Sequence, residues 1–63
     1  MYTVHTTYRR FDVNAGEVRA FCQTDKINAP TKEIAKANAW KLTLDEYPYA
    51  QFESQSARLA KHP

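Results

Sequence analysis

The stretch 31–44, TKEIAKANAWKLTL, constrains the chain most, because it is the one segment that reads clearly as a helix and it is closed at both ends. Thr31 can act as the N-cap, its hydroxyl accepting from backbone N–H groups that lack partners in the first turn. Glu33 puts negative charge in that turn, where the helix dipole favours it. Downstream, Pro48 pushes Tyr47 out of the α region and stops the helix. Ala35, Ala37, Ala39, Leu42 and Leu44 between them are mostly good helix formers. No clean single face results. Ala35, Ala39 and Leu42 form one stripe and Ile34, Ala37 and Leu44 another, with Trp40 nearby and Asn38, Lys41 and Asp45 interrupting. The pattern predicts an alanine face lying close against a sheet, with Trp40 or Leu44 able to face a partner.

The flanking segments supply that sheet. Residues 2–11, YTVHTTYRRF, are β-branched and aromatic with no Gly or Pro, and read as a strand. Alternation puts Tyr2, Val4, Thr6 and Tyr8 on one face, the better core face, and Thr3, His5, Thr7, Arg9 and Phe11 on the other. The stretch 12–16, DVNAG, holds the only glycine and reads as a hairpin loop of four or five residues. Residues 17–24 alternate again, with Val18, Ala20 and Cys22 on one face and Glu17, Arg19, Phe21 and Gln23 on the other. A connector at 25–30 follows, in which Ile27 can pin the chain to the core. After the helix, 47–50 turns and 51–59, QFESQSARL, is a third strand; the tail 60–63 is expected to fray. The expected fold is α+β: a small antiparallel three-stranded sheet with one helix packed on one face, in the order β-β-α-β. The other face stays open, and this reading places His5, Arg9, Arg19 and Phe21 on it.

Sixty-three residues make one domain, 1–63, with a thin core. A single cysteine excludes an internal disulfide, and Cys22 reads as a small buried hydrophobe. Without a disulfide framework, a reducing, cytoplasmic location is the expectation. Residues 2–8 lack the apolar core of a signal peptide, and no run of about 18 apolar residues exists, so no membrane association is expected. The net charge of +2 is milder than dedicated nucleic-acid binders carry. Four Tyr, three Phe and one Trp are more than such a core can fully enclose, which points to aromatics on a contact surface.

Chemistry is sparse. Two histidines and one cysteine, widely scattered, match no metal spacing, and one glycine makes no phosphate loop, so no metal or cofactor is expected. His5 and Cys22 fall on opposite sides of the sheet in this reading, and no third residue orients them. Asp45 and Glu46 are adjacent on a helix and diverge. The chain is therefore read as not an enzyme, with no catalytic residues.

Two binding readings remain. Tyr8, Arg9, Arg10, Phe11, Arg19 and Phe21 mix guanidinium groups with rings on one hairpin, a combination that suits phosphates and unstacked bases. The same residue types anchor protein interfaces, and a domain of this size can offer the roughly 800 Å² that one side of a stable complex needs. Protein binding is preferred. Arg9, Arg10 and Arg19 would supply charge-assisted hydrogen bonds, and Tyr8, Phe21 and Trp40 buried area. An edge strand can also accept a partner's strand, and a homodimer would equally hide the surplus aromatics.

Thr31, Glu33, Ala35, Ala39 and Trp40 in the pattern T-x-E-x-A-x-x-x-A-W, then Pro48 and Phe52-Glu53 ahead of Arg58, with the order of elements, resemble the small early proteins of tailed bacteriophages. The layout is similar to that of phage inhibitors of host RNA polymerase, a small sheet carrying one helix, and the resemblance covers residues 18–59. The chain departs from that family in overall charge and in its Arg9–Arg10 pair. The resemblance implies a stoichiometric, non-catalytic binder of a host protein, such as a nucleic-acid-processing enzyme.

Overall fold

The computed structural model describes residues 1–60; the expected fraying of the tail falls on 61–63, outside the described residues, apart from Ala60. Strand β1 (Tyr2–Asp12), strand β2 (Glu17–Ile27), helix α1 (Lys32–Glu46) and strand β3 (Gln51–Leu59) follow in that order. They form a three-stranded antiparallel sheet of order β2-β1-β3 with the helix on one face, the α+β architecture expected. Ala60 is tied down, its N–H donating to the Met1 carbonyl at 2.9 Å.

The helix begins as its sequence dictates. Thr31 is extended, its Oγ1 accepts from the Ile34 N–H at 3.2 Å, and its carbonyl takes the first helical bond from Ala35. The last helical residue is Glu46, two beyond the stretch expected, and Tyr47 caps the helix directly before Pro48. The face turned to the sheet is Ala35, Ala39 and Thr43, each four residues from the last. These small side chains let the helix approach closely. Leu42, expected on this stripe, is exposed.

The hairpin carries the main departure from expectation. β1 and β2 pair along their full length, from Tyr2↔Ile27 to Asp12↔Glu17, so β2 runs three residues past its expected end. The loop between them is four residues, the shorter of the two lengths expected. Asp12 sets this length: its Oδ1 accepts from the Asn14 N–H at 3.0 Å, and its carbonyl accepts from the Gly16 N–H at 2.7 Å. Gly16 takes φ +71, a left-handed conformation that costs glycine little. A strand's side chains alternate with period two, so one residue of loop length decides which face each side chain joins. With four residues, Tyr8 lies opposite Phe21 and Tyr2 opposite Ile27. Phe21, Gln23, Asp25 and Ile27 therefore share the helix side, while Val18, Ala20 and Cys22 lie on the open face. This register puts Ile27 and Phe21 inward in place of the smaller Ala20 and Cys22. Cys22 is exposed, contrary to its reading as a buried hydrophobe.

The core is thin and graded along the sheet. At one end Val4, Ile27, Ala35 and Ala39 are buried together, flanked by Tyr2, Ala29 and Ala57. In the middle the contact turns polar. Thr6 is fully buried, and its Oγ1 accepts from Gln55 Nε2 at 3.0 Å, while that same amide donates to the Lys36 carbonyl of the helix at 2.8 Å. One side chain of β3 thus stitches the helix to the central strand. Beyond it lies an aromatic end around Tyr8.

Length explains that aromatic end. Fifteen helical residues span about 22 Å, whereas the eleven residues of β1 span about 37 Å. The helix stops short of the hairpin tip. β3 also stops early, pairing β1 only as far as Gln51↔Arg9 after an irregularity near Tyr8 where Glu53 is the extra residue. Residues 10–19 thus extend as a two-stranded overhang past both helix and third strand, in a molecule 41 Å long and 16 Å thick.

Candidate functional site

A two-stranded hairpin is marginal by itself, so the overhang needs an anchor. Arg10 provides it. On the helix side of the sheet its guanidinium carbon sits 4.0 Å from the centre of the Phe21 ring and 4.1 Å from that of Tyr47. Tyr47 caps the helix, so this sandwich joins the overhang to the body. Tyr8 completes the cluster, stacking on Phe21 and on Tyr47 with ring centres 6.0 Å away in each case. Each cation–π contact contributes about 0.5–2 kcal/mol, more as water is excluded. Against that stands Arg10 Nε, buried without a partner among the described residues. Glu46, next in the chain, holds the Tyr47 phenol above its ordinary value by hydrogen bonding and by its negative charge.

Above this clamp the overhang presents apolar side chains to water. Phe11 is 56% exposed, Val13 in the loop 82%, and Tyr49 in the turn after the helix 92%; Val18, opposite Phe11, is also exposed. Arg10, Phe11, Val13, Tyr47 and Tyr49, with Glu46 and Pro48, line a shallow concavity of about 340 Å³. Its volume is at the low end of the roughly 300–1,000 Å³ of ligand pockets, and its shallow shape leaves an occupant exposed, which suits one side chain of a partner.

The six contact residues expected from sequence do not form one surface. Tyr8 is only 4% exposed and belongs to the core. Phe21 lies beneath Arg10, and Arg19 shares its face. Both are on the helix side rather than the open face where His5 and Arg9 lie. Arg19 is turned to Asp12 (3.9 Å) and Glu17 (3.8 Å), and Arg9 to Glu53 (3.7 Å); these are exposed pairs of small energetic value. Trp40 packs edge-on against Phe52 at 5.3 Å, along the β3 side. Of the six, Arg10 alone lines the concavity. Val13, Val18 and Tyr49, exposed near this end, were not singled out from the sequence, and Phe11 was named only in the nucleic-acid reading. For Val13 and Tyr49 the signal in the sequence was position: an apolar residue inside a hairpin loop and an aromatic in a Pro-containing turn have no core to enter.

His5 and Cys22 also end up on one face rather than opposite faces, diagonal neighbours across the β1–β2 pair. His5 Nδ1 is 3.0 Å from Thr24 Oγ1. Among the described residues no three His, Cys, Asp or Glu side chains gather as a metal-holding group, and no helix is long and apolar enough to cross a membrane. Compared with protein-family models, with curated proteins and with solved structures, the chain matches none.

Proposed function

We propose that the chain is a non-catalytic module that binds another protein through its hairpin overhang, acting as a phage- or prophage-encoded modulator of a host enzyme in the cytoplasm. The observation that supports the binding reading is the gathering of Phe11, Val13 and Tyr49 around one concavity at the end that neither helix nor third strand covers. Large exposed apolar side chains grouped at one place mark interaction sites far more often than the same residues scattered. Arg10, one of the residues lining the concavity, is held by two rings, so little of its side-chain entropy would be lost when a partner seats there. The arginines of the hairpin are each engaged by a carboxylate or by rings, which favours a protein over a phosphate backbone as the partner. The host-modulator part rests on the resemblance of residues 18–59 to small early phage proteins.

Affinity capture with the tagged full chain from a bacterial lysate, with and without nuclease, tests the reading. The expected result is one stoichiometric protein that survives nuclease and moderate salt. Material lost with nuclease, or lost steeply with salt as phosphate contacts are, would overturn it in favour of nucleic-acid binding.

A further inference from the structure

The open face of the sheet differs in character from everything around it. Across β1, Thr3 is flanked by Lys26 on β2 and Arg58 on β3; the next row is Thr24, His5 and Ser56, and the next Cys22, Thr7 and Ser54. Opposite residues in a ladder share a face, so these rows form a floor of hydroxyls with cations at its edges. Acidic side chains are placed elsewhere. Asp12, Glu17 and Asp25 have the opposite parity, Glu33, Asp45 and Glu46 belong to the helix, and Glu53 at the irregularity pairs with Arg9. Three cations against one carboxylate on this face equal the whole protein's formal excess of two positive charges, so the remaining charges cancel. Among the described residues neither Lys26 nor Arg58 forms an ion pair, and both line a concavity of about 390 Å³ with Thr3 between them.

We infer that the open face seats an acidic, carboxylate-rich segment of the protein partner, with Lys26 and Arg58 holding a carboxylate over Thr3 and the His5 row continuing the track. The inference rests on the protein-binding reading and specifies the partner's charge. Adjacent strands lie about 4.8 Å apart, so the two cations rise roughly 10 Å from each other across β1 and can converge on one anion. A carboxylate segment is favoured over a nucleic-acid strand because the one ring in these three rows is the His5 imidazole, whose Nδ1 lies 3.0 Å from Thr24 Oγ1, with no Phe, Tyr or Trp beside it. Phe11, the other ring on the open face of β1, is about 27 Å along the strand from Thr3, and bases need several rings interleaved with the cations. The track leads toward Phe11 and Val18, so one partner can meet charge at one end and apolar surface at the other.

An ¹⁵N–¹H NMR titration of the full chain with a ten-residue polyglutamate peptide at low salt tests the inference. The amides of Thr3, His5, Lys26, Ser56 and Arg58 are expected to shift. Lys26→Glu with Arg58→Glu should weaken binding about tenfold or more. The charge-matched pair Lys32→Glu with Lys36→Glu on the helix should leave it nearly unchanged. Equal weakening by both pairs, absence of shifts on the face, or stronger shifts of the same amides with a ten-residue oligothymidine would each overturn it. Polyglutamate reads the face and lysate capture reads the partner, so the inference and the reading beneath it fail separately.

Discussion

The body of the sheet and its hairpin overhang are built from the same two strands yet held by different physics. In the body, Val4, Ile27, Ala35 and Ala39 exclude water, and Gln55 ties Thr6 to the helix. In the overhang there is no helix layer. Ladder bonds, the Asp12 turn and the Arg10 sandwich maintain the shape, while Phe11 and Val13 remain in water. Exposed apolar side chains occur in both regions, Ile34, Leu42, Phe52 and Leu59 on the body and Phe11, Val13 and Val18 on the overhang, but only the overhang lies past the reach of the helix. Tyr8 stands at the boundary, buried by the body and stacked on the rings of the clamp.

That boundary position predicts the largest effect. Tyr8→Ala removes a buried aromatic shared by both regions and should cost about 3–5 kcal/mol. In a domain this small the circular-dichroism melt is then expected to lose its cooperative transition near room temperature. A melt close to that of the unaltered chain would mean the two regions do not share this residue.

Next comes the body alone. Gln55→Ala leaves Thr6 buried without its donor and removes one bond to the helix carbonyl, for an expected loss of about 1–3 kcal/mol. Cooperative unfolding should persist at a lower temperature, with the overhang's ring cluster intact as judged by aromatic NMR shifts.

The smallest effect on global stability belongs to the clamp. Arg10→Ala should cost about 1 kcal/mol or less, because loss of two cation–π contacts is offset by release of the buried Nε. Its local effect should be larger: amide exchange in residues 10–19 is expected to rise while Val4, Thr6 and Ile27 stay protected. Arg10→Lys should not restore protection, since an ammonium cannot stack as a planar guanidinium does between two rings. Uniform loosening of both regions would dissolve the distinction between them.

Much of the body was legible in the chain. The Thr31 cap, the alanine stripe and the alternation of β1 each specify local structure by short-range rules, and together they lead to one helix on a three-stranded sheet. The overhang was not legible for two reasons. The face of β2 depends on whether the loop has four or five residues, and the stretch DVNAG allows both until the Asp12 side chain is seen accepting from Asn14. The reach of the helix against the strands is a ratio of lengths, so which residues it leaves uncovered emerges only once both ends are fixed. That is why Tyr8 and Phe21, read as contact residues, lie in the stack, whereas Phe11, Val13 and Tyr49 stand outside it.

The most direct test of the account compares two matched apolar removals in the same capture experiment. Phe11→Ser with Val13→Ser strips the overhang, and Ile34→Ser with Leu42→Ser strips the exposed apolar residues of the helix. Once both variants are shown by circular dichroism to fold, the account predicts that the overhang variant loses the captured protein and the helix variant retains it. Retention by the overhang variant together with loss by the helix variant would contradict the account and move the docking surface to the body.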